Sequence, residues 1–440
     1  RRNALKTLLT GARVIDPSQG LDRVTDVLIE DSKIAGTGPL LKSGGVQKSD
    51  PDLSIIDLKG MTLVPGLIDM HTHFRDPGFE YKETVESGSA AAAAGGFTAV
   101  ACMANTNPVN DNRAVTDYIV RKAKACGLVR VYPIGAISIG LKGTKLAEYG
   151  DMKASGVVGL SDDGKPVMNS HLMRRALEYA GSLNLPVISH AEDADLSAEG
   201  LMHEGKVSTE LGLPGIPAIA EEVMIARDIL LAGYTRTSIH IAHVSTRGSV
   251  TLIRDAKARG ICVTAETAPH YFTLSEECLR EFDPYLKVNP PLRSLDDVLA
   301  IKEGLRDGTI DAIASDHAPH AITEKALEFE YALSGMVGLE TSLALSLRLV
   351  EEGCLTLPQL AAKMSINPAN ILRIPFGTLK IGTQADLTVI DTACKWQVDV
   401  NKFLSKSRNC PYGGWSMKGK AVMTLVDGKI KYNELSRGGA

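Results

Sequence analysis

The chain has 440 residues, of which 44% are hydrophobic and 23% are charged, and its net charge is -4. This composition is ordinary for a globular protein, and the length is enough for one large domain and a smaller one. The slight negative net charge gives no indication of a basic field for nucleic acid or an anionic membrane. No apolar stretch approaches the roughly 20 residues that span a bilayer, and the first residues lack the apolar core of a secretory signal. We therefore expect a cytoplasmic protein that binds a small molecule, and neither nucleic acid nor a membrane.

The seven cysteines are spread singly from Cys102 to Cys410, and no CxxC pair occurs. An odd number without pairing motifs argues against a disulfide framework and against a thiolate zinc site. Free thiols in a reducing compartment are the expected state.

Both ends of the chain are predicted to form short strands. The N-terminal segments TLLTGARVID, DVLIEDSKIAGTG and SIIDLKGMTLVPG are rich in β-formers and are broken by Gly, Asp and Ser. The C-terminal segments GTLKIGTQADLTVIDT and KAVMTLVDGKIKY alternate apolar and polar residues, with a turn at Asp427-Gly428. These patterns predict a small β-sandwich domain formed by both termini, residues 1–64 and 370–440.

The middle of the chain, residues 65–369, repeats one unit eight times: an apolar, β-branched segment followed by a helical stretch. The apolar segments are LVPGLIDMHTH, FTAVACMANTNP, VRVYPIGAIS, GVVGLSDDG, LPVISHAED, SIHIAHVST, ICVTAETAPHYF and IDAIASDHAPH. Near-continuous apolar strands are typical of parallel sheets, which are buried on both faces. The repeat predicts an α/β fold, a (β/α)8 TIM barrel. A doubly wound open sheet is the alternative, although no G-x-G-x-x-G follows the first strand.

Residues able to bind a metal follow these segments. His71 and His73 end the first, and the others are Asp162, Asp163, His190, His243, Asp316, His317 and His320. The carboxyl ends of barrel strands form the catalytic face, so these side chains are expected to converge at one mouth.

The spacing of His71 and His73 favours a shared metal, because residues two apart in a strand point the same way. Imidazole and carboxylate ligands suit zinc or a similar divalent ion. The predicted ligands are His71, His73, Asp163, His190, His243 and Asp316. Six exceed the three protein ligands of one catalytic zinc, which suggests two ions sharing a bridging group. Asp163, next to the turn glycine, is preferred to Asp162 as the bridge.

The remaining histidines are assigned other places. His240 has the opposite strand parity to His243 and is expected to be packed or to support a ligand, and His270 is expected to have a structural or supporting role. His171 and His203 lie in helical or loop stretches and are predicted to be at the surface.

Eight motifs, in this order along the chain, together resemble the dihydroorotases of the amidohydrolase superfamily. They are HTHFRDPG, CMANTNPVND, LSDDGKPV, ISHAED, IAHVS, ETAPHYF, VNPPLR and IASDHAPH. The resemblance covers essentially the whole chain. It is to the longer-chain type, which keeps an Asp where relatives carry a carboxylated lysine. The segment GVVGLSDDGKPV has no lysine before its turn, so whether one or two zinc ions bind stays open, with two favoured.

The resemblance implies a role for each of these residues. His71, His73 and Asp316 would hold one zinc, His190 and His243 the second, and Asp163 would bridge them. Asp316 would also be the catalytic proton carrier. The implied substrate contacts are Arg75, Asn105 and His320 for the carboxylate, and Asn289 for the ring.

The activity implied by the resemblance is the reversible cyclisation of N-carbamoyl-L-aspartate to L-dihydroorotate and water, the third step of de novo pyrimidine synthesis. Arg75 suits this substrate because its fork binds two carboxylate oxygens. A hydantoinase or allantoinase, and a non-catalytic partner of a carbamoyltransferase, are the alternatives. A homodimer is expected, and an active enzyme would be able to associate with a carbamoyltransferase.

The connection after the eighth strand, HAPHAITEKALEFEYALSGMVGLET, is long and contains glycines. Two interpretations stay open: a loop that covers the mouth, with Glu324 and Lys325 near its tip, and a plain surface connection.

Overall fold

The structure is a computed structural model and describes residues 6–40 and 50–435. Residues 1–5, 41–49 and 436–440, which belong to the predicted β domain and include the first residues inspected for a secretory signal, lie outside these ranges.

The strands in the described ranges, in chain order, are β1 Lys6–Asp16, β2 Leu21–Glu30, β3 Lys33–Gly38, β4 Leu53–Asp57, β5 Thr62–Pro65, β6 Leu67–Thr72, β7 Phe97–Cys102, β8 Arg130–Gly135, β9 Gly159–Leu160, β10 Val187–Ser189, β11 Met202–His203, β12 Gly215–Ile216, β13 Ile239–Ile241, β14 Val263–Thr267, β15 Ala312–Ile313, β16 Leu387–Gln397, β17 Ser416–Val426 and β18 Lys429–Asn433. The α-helices are α1 Val85–Ala94, α2 Arg113–Cys126, α3 Tyr149–Ala154, α4 Ser170–Ser182, α5 Ala194–Ser197, α6 Lys206–Leu211, α7 Ile219–Thr235, α8 Arg247–Ala258, α9 Pro269–Thr273, α10 Leu295–Asp307, α11 Ile322–Lys325, α12 Ser342–Glu351, α13 Leu357–Lys363 and α14 Ile366–Leu372.

Eight parallel strands form the barrel, in the order β15-β14-β13-β10-β9-β8-β7-β6. A parallel bridge between Thr72 and His317 joins the two edges of this sheet, and the His73 amide donates to the His317 carbonyl at 2.8 Å. Each of the eight predicted apolar segments contains one of these strands. The predicted (β/α)8 barrel is therefore confirmed, and the doubly wound open sheet is excluded.

Apolar side chains, many of them alanine, fill the inside of the barrel. They come from several strands and include Ile68, Met70, Ala99, Ala101, Ile134, Ile188, Ala242 and Ala312. Helices cover the outside through apolar stripes at helical spacing. In α4, for example, Leu172, Met173, Ala176, Leu177 and Ala180 are buried. This packing fixes the strand ends, and so fixes the side chains that follow them.

The termini form a separate mixed sheet of eight strands, β18-β17-β16-β5-β1-β2-β3, with β4 paired to β1. This sheet encloses its own core, which includes Leu9, Val14, Val27, Leu63, Leu387, Val389 and Leu425. The predicted turn between β17 and β18 is present, with positive φ at Asp427 (51°) and Gly428 (68°), as a tight hairpin requires. The separate β unit built from both termini is confirmed, and its boundaries at 64/65 and 369/370 stay predictions.

All seven cysteines lie in the described residues and are free, as expected. None of the helices in the described ranges combines the length and the apolar character needed to cross a bilayer.

Candidate metal centre and substrate pocket

The six predicted metal ligands meet at the carboxyl end of the barrel. His71 is the second-to-last residue of β6, and His73 is the first residue after that strand. Asp163, His190, His243 and Asp316 come one to three residues after β9, β10, β13 and β15. All six side chains are buried, so their imidazole and carboxylate groups face one another rather than water.

The first group of ligand atoms surrounds the Nε2 atoms of His71 and His73. The Nε2 atom of His71 lies 3.3 Å from Oδ1 of Asp163, and that of His73 lies 3.4 Å from Oδ2. Oδ1 of Asp316 lies 3.6 Å from the Nε2 atom of His71 and 3.3 Å from that of His73. Two imidazoles and two carboxylates therefore converge on one small volume.

The second group uses the same Asp163. Its Oδ1 atom lies 3.4 Å from Nδ1 of His190 and 3.3 Å from Nε2 of His243, and these two nitrogens are 2.8 Å apart. Within each group of three, Asp163 with His71 and His73 or with His190 and His243, the ligand atoms lie within 4.8 Å of one another. Asp163 therefore belongs to both groups of ligand atoms.

The donor set fits a divalent cation. Nε2 of His71 is fully buried, faces Asp163 and Asp316, and has no hydrogen-bond partner among the described residues. A buried polar nitrogen without a partner is costly, and a metal ion is one way to satisfy it. Nitrogen and oxygen ligands of this kind suit zinc and similar ions.

Each of three ligand rings has an acceptor on its far side. Nδ1 of His71 lies 2.6 Å from Oε1 of Glu266. Nδ1 of His73 lies 2.9 Å from Oδ1 of Asn105, and Nε2 of His190 lies 3.0 Å from Oε2 of Glu192. An acceptor beside one ring nitrogen keeps the ring proton on that nitrogen and leaves the lone pair of the other nitrogen for a metal.

Glu192 and Glu266 were not predicted. Their only signals in the sequence are that Glu192 follows His190 by two residues and that Glu266 lies near the end of the seventh apolar segment. His240 fits its prediction, since its Nε2 atom lies 3.5 Å from Glu266. His270 is buried.

Charges in the centre shift one another strongly. Burial alone would lower the pKa of His190, but the carboxylates of Asp163 and Glu192 outweigh it and raise the pKa to about 10. Burial alone would raise the pKa of Asp163, but His71, His190 and His243 hold it well below its usual range. Metal binding would displace the imidazole protons and is therefore expected to weaken as the pH falls.

Three of the site residues have a left-handed backbone. The φ angles are 34° for His243, 48° for Asp316 and 61° for Arg75. Such conformations cost a non-glycine residue about 1–3 kcal/mol each and are concentrated at functional sites.

A cavity of about 360 Å³ opens beside these ligands. Arg75 lines it, and its Nε atom donates to the Pro319 carbonyl at 3.2 Å. The two terminal nitrogens of Arg75 have no hydrogen-bond partner in the part of the chain that the structure describes, so they are available to an anion. Burial lowers the pKa of Arg75 to about 10, which leaves it charged at neutral pH.

The other predicted substrate contacts, Asn105, Asn289 and His320, line the same cavity. Both ring nitrogens of His320 also have neighbours within the chain. Nε2 donates to the Ser334 carbonyl at 2.8 Å, and Nδ1 lies 3.4 Å from the ammonium of Lys82. Burial, with the charges of Arg75 and Lys82, lowers the pKa of His320 to about 2, so the ring is neutral.

The connection after β15 contributes a wall of the cavity through Ser334 and Gly335. Lys325 is buried, and its ammonium donates to the carbonyls of Leu333 at 2.7 Å and Gly335 at 3.1 Å. Because the connection lines the cavity, it is more than a plain surface connection. Whether it covers the mouth stays a prediction.

One prediction about a histidine is wrong. His203 is buried in β11 and accepts a hydrogen bond from Arg293 at 3.2 Å, whereas His171 is exposed as predicted. His203 is paired with Ile216 in the short β11–β12 sheet, which the sequence of this segment did not indicate.

Comparisons with known proteins show the family of this chain. A family model described as "Dihydro-orotase-like" matches residues 60–249, and one described as "Amidohydrolase family" matches residues 233–432. A protein of Syntrophus aciditrophicus named dihydroorotase is 59% identical, over 98% of this chain and 100% of its own. One of Geobacter metallireducens with the same name is 59% identical, over 97% of this chain and 100% of its own.

Solved structures share the fold. The L-hydantoinase of Arthrobacter aurescens has a TM-score of 0.84 at 26% identity, covering 97% of this chain and 96% of its own. The dihydropyrimidinase of Brevibacillus agri has a TM-score of 0.83 at 22% identity, covering 97% of this chain and 95% of its own. From its identity to full-length relatives, its family matches and its fold, the chain belongs to the dihydroorotase family of the cyclic amidohydrolases.

Proposed function

We propose that this chain catalyses the reversible cyclisation of N-carbamoyl-L-aspartate to L-dihydroorotate and water, a step of pyrimidine synthesis. The observation that carries the proposal is the free guanidinium edge of Arg75 in the cavity beside the His/Asp centre. A cyclic amide with a carboxylate on its ring would place the carboxylate on Arg75 and its amide bond at the centre. Hydantoin and allantoin have no such carboxylate.

The proposed cofactor is zinc, with two ions favoured over one. His71, His73 and Asp316 would hold the first, His190 and His243 the second, and Asp163 would be shared. Bound zinc supplies a Lewis acid and lowers the pKa of water from 15.7 to about 7.

Three side chains would bind and orient the substrate. Arg75 would donate two parallel hydrogen bonds to the carboxylate, an arrangement that Lys cannot reproduce. Oδ1 of Asn105 faces the ring of His73, which leaves its amide nitrogen as a donor for the same carboxylate. Asn289 would contact the ring. His320 would join the carboxylate site only by exchanging one of its present neighbours, Ser334 or Lys82.

Asp316 is the proposed proton carrier. In the hydrolytic direction it would accept the proton of the attacking water and deliver it to the amide nitrogen as the C–N bond breaks. Burial alone would raise the pKa of Asp316, but His71 and His73 hold it well below its usual range, so the carboxylate carries no proton of its own before the reaction.

The test compares turnover of dihydroorotate, hydantoin and allantoin by one preparation of known zinc content. We expect turnover of dihydroorotate alone, lost on chelation and restored by zinc. Preference for hydantoin or allantoin would support the corresponding cyclic amidase. Two zinc ions with no turnover of any of the three would favour the non-catalytic partner. The homodimer, an association with a carbamoyltransferase and a cytoplasmic location stay predictions.

A further inference from the structure

Glu192 lies between the metal centre and the substrate cavity. It lines the cavity, and its side chain is 17% exposed. One oxygen, Oε2, lies 3.0 Å from Nε2 of His190 and 3.0 Å from Nδ2 of Asn289. A single carboxylate atom thus contacts both a metal ligand and a proposed substrate contact.

The contact with His190 determines which of its nitrogens binds metal. An ionised carboxylate only accepts hydrogen bonds, so Nε2 of His190 must carry the proton. Nδ1 faces Asp163 and His243 and keeps its lone pair for an ion when the ring is neutral. Acceptors of this kind also make the ring a stronger ligand.

The contact with Asn289 determines how its amide is turned. Because Oε2 of Glu192 is an acceptor, the Asn289 atom that faces it must be the NH2 group. The carbonyl oxygen of Asn289 and its second N–H have no hydrogen-bond partner among the described residues, so they can meet a substrate ring, which offers both donors and acceptors. Without Glu192 the amide would be able to turn over and exchange the two.

We propose that Glu192 is a positioning residue that couples the two halves of the site: it sets the tautomer of His190 for the metal and the amide orientation of Asn289 for the substrate. The proposal has two parts: the effect of Glu192 on His190, called the metal arm, and its effect on Asn289, called the substrate arm. Only the substrate arm rests on the proposed function, because the metal arm holds for any reaction at this centre.

Three substitutions of Glu192 distinguish the effect of its charge from the effect of its side-chain length. Glu192→Gln keeps an oxygen able to accept from both partners, and Glu192→Asp keeps the charge but is one methylene shorter. Glu192→Ala removes both. The control is Asp193→Ala, which removes the cap of α5 in the same loop, where Asp193 accepts from the amides of Asp195 and Leu196.

The metal arm measures zinc affinity by competition with a chromogenic chelator, without substrate. Glu192→Ala and Glu192→Asp are expected to bind the weaker zinc about 10- to 100-fold less tightly, with Glu192→Gln between them and wild type. Asp193→Ala is expected to match wild type. Unchanged zinc affinity in both Glu192→Ala and Glu192→Asp, or an equal loss in the control, would overturn the metal arm.

The substrate arm measures KM for dihydroorotate at saturating zinc in Glu192→Ala, Asn289→Ala and the double variant. Because Glu192 acts on the ring through Asn289, the double variant is expected to have the KM of Asn289→Ala within about twofold. KM increases that multiply would overturn the coupling. If wild type does not turn over dihydroorotate, the proposed function fails, while the chelator experiment still decides the metal arm.

Discussion

The two ends of the barrel differ in whether their charged and polar groups have hydrogen-bond partners within the chain. At the amino end, Arg130 donates to Asp386 at 2.7 Å and to Asp427 at 2.5 Å, and its guanidinium lies 4.4 Å from the ring centre of Phe376. At the carboxyl end, the terminal nitrogens of Arg75 and Nε2 of His71 have no hydrogen-bond partner among the described residues.

This difference separates stability from function. Charges whose partners belong to the same chain contribute to folding, and they join the barrel to the terminal sheet through β8, Asp386 and Asp427. Charges without such partners are a cost to the folded chain that only a ligand offsets. Substitutions at the two ends should therefore change different measured quantities.

The largest effect is expected at Asp163, which both groups of ligands share. Asp163→Ala should reduce kcat by roughly 10⁴-fold or more. A bound metal stabilises the transition state by several kcal/mol, and each 1.36 kcal/mol lost lowers the rate about tenfold. Zinc content by elemental analysis should fall together with turnover. Two tightly bound zinc ions in this variant would show that Asp163 is not the shared ligand.

Asp316→Asn should separate proton transfer from metal binding. The amide of the variant keeps an oxygen near His71 and His73, but it is not basic enough to accept a proton. We therefore expect kcat to fall roughly 10²–10⁴-fold while the zinc content is largely kept. Steady-state kinetics and zinc analysis on one sample measure both. A near-normal rate would remove Asp316 from proton transfer.

At the amino end, Arg130→Met should lower the free energy of unfolding by roughly 3 kcal/mol, because it leaves the buried Asp386 without its ion-pair partner. KM and kcat should stay within about twofold at a temperature where the variant is folded. Denaturant unfolding measures the first, and Asp427→Asn, at the exposed partner, is the control with a smaller loss. A changed KM with unchanged stability would contradict the division between the two ends.

Arg75→Lys should raise KM for dihydroorotate about tenfold, as expected for the loss of one charged hydrogen bond worth roughly 1.5 kcal/mol. The unfolding midpoint should not fall, since the replaced nitrogens have no partner in the described chain. Initial rates over a range of substrate concentrations measure KM. An unchanged KM would remove Arg75 from the carboxylate site.

The smallest effect concerns Lys325, whose pKa burial lowers from 10.5 to about 7. Between these values the unfolded chain binds more protons than the folded one, so stability rises with pH. Between pH 7 and pH 8, the free energy of unfolding of the wild type should rise by roughly 1 kcal/mol relative to that of Lys325→Met. Denaturant midpoints at both pH values measure this, and a difference that shrinks with rising pH would contradict the assignment.

The sequence predicted the barrel and the convergence of ligands because both follow from local rules. Apolar segments at regular intervals predict parallel strands, and parallel strands bring the residues after them to one edge. The convergence of His71, His73 and Asp163 could therefore be predicted without any information on contacts between side chains.

Glu192, Glu266 and His203 were missed because their environments depend on contacts between distant segments. Glu266 is within reach of His71 only through the position of β14 in the barrel, and Glu192 meets Asn289 across the cavity. No spacing in the sequence encodes such pairs. The burial of His203 likewise depends on an irregular loop turning inward against Arg293.

The bridge between Thr72 and His317 has a consequence for synthesis in the cell. It joins the first and last strands of the barrel, and Asp316 lies beside the residue that makes it. During translation the two histidines emerge early, but they cannot be joined by Asp316 until the ribosome has added most of the chain. A nascent or truncated chain should therefore be inert, so that hydrolysis begins only in a molecule whose barrel has closed.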